Sequence, residues 1–241
     1  MKPGATALPP IAYRPAPECY AHGVSRSIWI AAVCAGPVLL AAQGQPAPEA
    51  LARSLQRRYE AVADFSADFT HTYRGGVLRT QTREQGTVRI KKPGRMRWIY
   101  NNPEHKEFVS DGRKIYAYIP QDRQVIVSDV PSDDQATTPA LFLAGRGDLV
   151  RDFTAQRAES PIPGGIAIKL TPRKLEPEYE YLVVTADPAT LQIRVLTTRD
   201  RQGGESTLAF TNLKENQRIS DKEFTFRIPP GVDVVSNGTR N

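Results

Sequence analysis

Arg89-Ile90-Lys91-Lys92-Pro93-Gly94-Arg95-Met96-Arg97-Trp98-Ile99-Tyr100 is the stretch on which the fold class turns. Beyond Pro93-Gly94, Met96, Trp98 and Tyr100 point one way and Arg95 and Arg97 the other, the two-residue period of a strand with one apolar and one solvated face. The Pro-Gly pair makes a tight turn between two such strands and leaves Lys92 at its edge. Basic residues interleaved with aromatics can also grip single-stranded nucleic acid. A strand with one wet face gives the same pattern, and no nucleic-acid partner is expected.

The period continues outward. Phe65, Ala67, Phe69, His71 and Tyr73 share a face, and short alternating runs predict strands near 65–74, 77–91, 95–101, 105–110, 114–119, 124–130, 152–158, 165–172, 179–187, 191–199, 204–213 and 223–228. Asp111-Gly112, Asp187-Pro188 and Gly203-Gly204 mark hairpin turns. Ahead of the strands, Leu51, Leu55, Tyr59 and Val62 recur at spacings of four and three, with Arg and Glu between them, which predicts one amphipathic helix within 46–64. Residues 132–150 read as one or two short helices with Pro139 in a first turn. Together these elements describe a mainly β fold: one strongly curved antiparallel sheet covered by helices, with no boundary for a second domain. Helices crossing such a sheet either pack into it as a core or leave a greasy space able to hold a ligand. Phe69, Met96, Trp98, Tyr116, Leu141 and Leu143 are the candidate lining residues, and both readings stand for them.

The chain has 241 residues, 40% hydrophobic and 24% charged, which excludes disordered, collagenous and membrane-embedded classes. Its longest apolar run, Ile28 to Ala42, falls short of the roughly 20 residues of a bilayer-spanning helix and follows Arg26, the shape of a signal-peptide core. Either Ala42 or Gly44 supplies the last residue removed, with Gln45 taken as the mature start, so the expected division is a leader over 1–44 and a single mature domain over 45–241. The Pro-rich first 23 residues fit a leader badly, and a translation start at Val24 is the hypothesis that repairs this. Cys19 and Cys34 both precede the cleavage site, which excludes disulfides and thiol chemistry from the mature chain. Cys34 follows Ala31-Ala32-Val33, a poor lipidation context, so an exported, unanchored protein is expected. Removing Lys2, Arg14, Glu18 and Arg26 leaves a net charge of +4 over 197 residues, too mild to indicate nucleic acid.

No catalytic constellation stands out. His71 and His105 lack metal-ligand spacing, Gly204-Glu205-Ser206-Thr207-Leu208 lacks the final Gly of a nucleophile elbow, and Asp133-Asp134 and Glu176, Glu178 and Glu180 read as solvated acids. Neither an enzyme nor a metal or cofactor is expected.

At the opening stretch the chain resembles a known family. Gly86-x-Val88-x-Ile90-Lys91-Lys92-Pro93-Gly94-x-Met96-Arg97-Trp98, then Pro103, Ser110-Asp111-Gly112, Tyr116-x-Tyr118, Thr138-Pro139-Ala140, Asp187-Pro188-Ala189-Thr190 and Phe224-Thr225-Phe226-x-x-Pro229-Pro230-Gly231-Val232 keep the order and spacing of the periplasmic outer-membrane lipoprotein carriers, LolA, from about Leu51 to Val235. The resemblance implies a monomeric, unclosed half β-barrel of about eleven antiparallel strands with a helical lid over an apolar cavity. It also implies a route: acyl chains of lipoproteins are received from an inner-membrane ABC transporter and passed to the outer-membrane receptor LolB or an equivalent. In the family an Arg directly before the turn Pro bonds lid carbonyls and latches the cavity; here Lys92 stands there, with three donors on a flexible stem but no planar fork. Met96 stands at a family position of large apolar character. Two other readings compete. One is a lipid-sensing or glycolipid-binding periplasmic protein like the regulator RseB, which carries a second domain where this chain stops after Asn241; the other is a lipid or envelope-polymer hydrolase.

Overall fold

The computed structural model describes residues 46–75, 80–131 and 139–236, apart from the side chains of Pro139 and Leu141. The expected leader with both cysteines, the Asp133-Asp134 pair and the first part of the 132–150 insert lie outside the described residues. The chain runs α1 (Pro48–Glu60), β1 (Asp64–Arg74), β2 (Gln81–Lys91), β3 (Arg95–Asn102), β4 (Lys106–Asp111), β5 (Lys114–Ile119) and β6 (Gln124–Asp129). Two short helices, α2 (Pro139–Leu143) and α3 (Leu149–Asp152), precede β7 (Phe153–Ala158), β8 (Ile166–Pro172), β9 (Tyr181–Ala186), β10 (Ile193–Arg199) and β11 (Glu205–Glu215). A 3-10 turn (Asp221–Phe224) and β12 (Asp233–Ser236) follow.

The strands form one sheet in the order β12-β6-β5-β4-β3-β2-β1-β11-β10-β9-β8-β7, whose two ends are not paired to each other, so it is an unclosed barrel wall. Every pairing is antiparallel except the last, where β12 lies parallel to β6. Hairpin connections build the runs β1 to β6 and β7 to β11, which join through β1 and β11, distant in sequence. No helix among the described residues is long and apolar enough to cross a membrane.

Register assigns the two faces. Phe65, Ile90, Met96, Ser110 and Ile115 form one row across β1 to β5; Ala67, Val88, Trp98, Phe108 and Ala117 form the next. These rows carry the core, over which α1 lays Leu51, Ala52, Leu55 and Tyr59, all buried. The helix begins with Pro48 at its first turn and Glu49 behind it, and ends with Arg57 and Arg58, charges that complement its dipole. Gly86 is paired with Phe69 and Tyr100, whose rings meet edge to face at 4.9 Å above it. A Cβ at Gly86 would come within 2.9 Å of the Phe69 ring and far inside contact distance of the Ile99 carbonyl, so only glycine fits.

The opposite face corrects two expectations. The chain after β11 crosses it as a strap that reaches β12 at the sheet edge, and residues 223–228, expected as a strand, are the end of the 3-10 turn and an unpaired extension. Buried Asp64 starts the strap by accepting from the Gln217 N–H at 2.7 Å and the Ile219 N–H at 3.3 Å. The basic face expected to be solvated is therefore covered. Lys91 pairs with Asp221 at 2.5 Å, the Arg97 guanidinium donates to the Glu223 carbonyl at 2.7 Å and bonds the Glu107 carboxylate, and Arg89 lies 3.8 Å from Glu223.

Candidate functional site

The space between the inner face and its helices is closed by a cluster centred on Tyr59. Its hydroxyl donates to the Leu143 carbonyl, its ring stacks on Phe142 at 5.1 Å, and its own carbonyl accepts from Lys92 Nζ. Lys92 Nζ also sits 3.5 Å from the centre of the Tyr59 ring, a cation over an aromatic face. The ammonium thus meets the last turn of α1, where exposed carbonyls and the helix dipole favour positive charge. The second lid helix is held by backbone: Gly94 N–H donates to the Ala144 carbonyl at 2.7 Å, while Ser110 Oγ donates to the Gly94 carbonyl at 2.8 Å and stiffens the turn. Gly145, at φ +79°, lets the chain pass against the Lys92 stem; a Cβ there would lie 2.7 Å from Lys92 Cδ.

Burial pulls the Lys92 pKa down to about 8, opposed by Glu60 and Glu215 and assisted by Arg58. Tyr59 is driven the other way, its pKa raised well above the ordinary value by burial and by Glu215, so it stays a neutral donor. Lys92 therefore bridges the β2–β3 turn and α1 at the cost of partly desolvating its charge.

Of the six candidate lining residues, Phe69, Met96, Trp98 and Leu143 meet in the core under the helices, each no more than 6% exposed. Leu141 lies on α2, but its side chain is outside the described residues. Tyr116 is a correction: it is paired with Val109 and Val127 on the outer face and stacks on Phe226 of the strap at 5.4 Å, while its neighbour Ile115 faces the core. Among the described residues, the recess bounded by Tyr59, Phe65, Leu143, Ile193, Phe210 and Leu213 leaves about 10 Å³, far below the roughly 300–1,000 Å³ of a small-molecule pocket. Tyr59 was read in the sequence only as an apolar helix position; nothing in the spacing marks it as the group that joins both lid helices to Lys92.

A polar cluster lies at the other end of the inner face. His71 Nε2 is 2.8 Å from Ser206 Oγ, His71 Nδ1 is 3.4 Å from Glu84, and Glu84 is paired with Lys106. Burial lowers the His71 pKa against the pull of Glu84, so the ring is neutral at pH 7. The order Ser-His-Glu is that of a hydrolytic triad, but Ser206 sits in a strand paired on both sides, where the surrounding N–H groups are committed to the ladder rather than aimed at an oxyanion. The arrangement is a hydrogen-bonded rim.

Comparison with known proteins places this apolar interior and its helices in a family. The family model for the outer membrane lipoprotein carrier protein LolA matches residues 60–227. The outer-membrane lipoprotein carrier protein of Hahella chejuensis is 30% identical over 210 residues, covering 86% of this chain and 94% of that protein. That of Chromohalobacter salexigens is 32% identical over 189 residues, covering 78% and 87%. An uncharacterized conserved protein of Thermus thermophilus superposes with a TM-score of 0.50 at 16% identity, over 77% of this chain and 99% of that one, a likeness of fold alone. With its family model matched over β1 to β11 and over α2 and α3, the chain belongs to the LolA family of outer membrane lipoprotein carrier proteins.

Proposed function

We propose that this protein carries lipoproteins across the periplasm by sheltering their acyl chains between the inner face of the sheet and the helices α1 and α2. It receives them from an inner-membrane ABC transporter and yields them to an outer-membrane receptor, acting as a monomer and without chemistry on the cargo. The observation that carries this reading is an apolar core whose cover is tied down at one rim by a few polar bonds converging on Tyr59 and Lys92. Each methylene removed from water contributes about 0.8 kcal/mol, so acyl chains need a cover throughout an aqueous crossing. Cargo that replaces protein–protein apolar contacts with protein–acyl ones keeps uptake and release both near balance. Phe69, Met96, Trp98, Leu141 and Leu143 are the side chains proposed to exchange partners, and Lys92 is the proposed latch.

An apolar fluorescent probe should bind with micromolar affinity while circular dichroism and sedimentation report a folded monomer. Lipoprotein acyl chains should displace it. A folded protein that takes up no probe would leave the interior a permanent core and the proposal without a binding site.

A further inference from the structure

Trp98 is 5% exposed, yet its indole Nε1–H has no hydrogen-bond partner among the described residues. A buried donor without an acceptor is costly, and in most proteins such a group is satisfied. Its aromatic neighbours at ring distance are Phe69, at 5.1 Å, and Phe210, at 6.4 Å, which offer π faces but no oxygen. The donor is thus left without an acceptor inside the very space proposed to open for cargo.

Its place on the inner face is also a boundary. One row toward the Lys92 end, Met96 lies between Ile90 and Ser110 over an apolar stretch; one row the other way, Tyr100 is paired with Gly86 and Lys106, and beyond them His71 faces Glu84. Rows two residues apart are separated by roughly 7 Å along the strand. A lipid has the same gradient: hydrocarbon, then a carbonyl linkage, then a polar head. With its tails in the apolar rows and its head toward Lys106, the linkage lies level with Trp98.

We infer that Trp98 Nε1–H donates to the carbonyl oxygen of an ester- or amide-linked acyl chain, so that the carrier selects acylated cargo over chains attached without a carbonyl. This rests on the acyl-carrying reading of the same space. The bond is absent in the closed protein and formed only when the core is occupied, so it favours loading without favouring closure.

The test compares a glycerophospholipid with two ester-linked palmitoyl chains and its counterpart with two ether-linked hexadecyl chains, each offered to the full chain, wild type and Trp98→Phe. Wild type should prefer the ester lipid by about tenfold, the worth of one buried hydrogen bond. Trp98→Phe should bind both equally, and the ratio isolates the N–H from any packing loss. The wild-type protein supplies an independent readout: the Trp98 indole proton resonance, assigned by its absence in Trp98→Phe, should move downfield with the ester lipid and stay with the ether lipid. Equal binding of the two lipids by wild type, or a preference retained in Trp98→Phe, overturns the inference while leaving the carrier reading intact. Binding of neither lipid overturns the inference, and the carrier reading falls with it only if the apolar probe also fails to bind.

Discussion

Leu55→Glu should lower the stability of the protein by about 4 kcal/mol, a fall in melting temperature of roughly 10–15 °C for a chain of this size. Leu55 is 2% exposed on the face of α1 that rests on the sheet, so the change deletes a buried aliphatic side chain and offers a carboxylate neither water nor a cation. The carboxyl will resist ionising there. The loss should therefore be largest at neutral pH and shrink in acid, where the neutral form carries the smaller penalty of an unpaired polar group. Thermal unfolding followed by circular dichroism at pH 7 and pH 4 reads both. A melting temperature within about 2 °C of wild type at pH 7 would mean that α1 does not bury this face in solution, and the lid would lose its main anchor.

Lys92→Leu should leave uptake of lipoprotein in place but slow its transfer to the receptor about five- to thirtyfold. The lysine contributes to the closed form a charge-assisted bond to the Tyr59 carbonyl and a cation–π contact, together about 1–3 kcal/mol before the partial burial of its charge is subtracted. The Tyr59 carbonyl keeps a second donor, the Val62 N–H at 3.1 Å, so removing Lys92 does not orphan it and the effect stays moderate. With closure weakened, the loaded form gains relative to the empty one. Lys92→Arg has the same stem to fit against Gly145 and a planar fork that adds a second donor, so it should restore or tighten closure. Gly145→Ala should resemble Lys92→Leu, because its Cβ would displace the Lys92 side chain and alanine is strained at φ +79°. A release assay with wild type and these three variants checks the order; equal rates in all four would make Lys92 a turn lysine and nothing more.

Most of the sheet was legible because each strand in its centre buries every second side chain, and Met96, Trp98 and Tyr100 against Arg95 and Arg97 could not be phased any other way. Tyr116 escaped because β5 reads Ile115-Tyr116-Ala117-Tyr118-Ile119, apolar at every position, so alternation carries no phase. Its face is decided by pairing with β4, where Ser110 meets Ile115 and Val109 meets Tyr116, and pairing partners are long-range information. Phe224 and Phe226 misled in a different way. Their alternation is real, but Phe224 is buried and Phe226 stacks on Tyr116 from a strap lying on the sheet rather than hydrogen-bonded into it. Lys92 and its turn stood out in the sequence, whereas Tyr59 and Gly145 were invisible, since each is placed by a contact with a residue far along the chain. The strap's acidic residues Asp221 and Glu223 likewise reach back over more than 100 positions to pair with Lys91 and Arg89.

If the core gives way to acyl chains, and not to chemistry or to another folded partner, the protein isolated from a periplasm with abundant outer-membrane lipoproteins should show, by native mass spectrometry, a one-to-one complex with an intact acylated lipoprotein. Lys92→Leu should enrich that complex, and enzymatic removal of the acyl chains should abolish it. A bare chain under those conditions, or a complex that survives deacylation of the cargo, would rule out acyl-chain carriage.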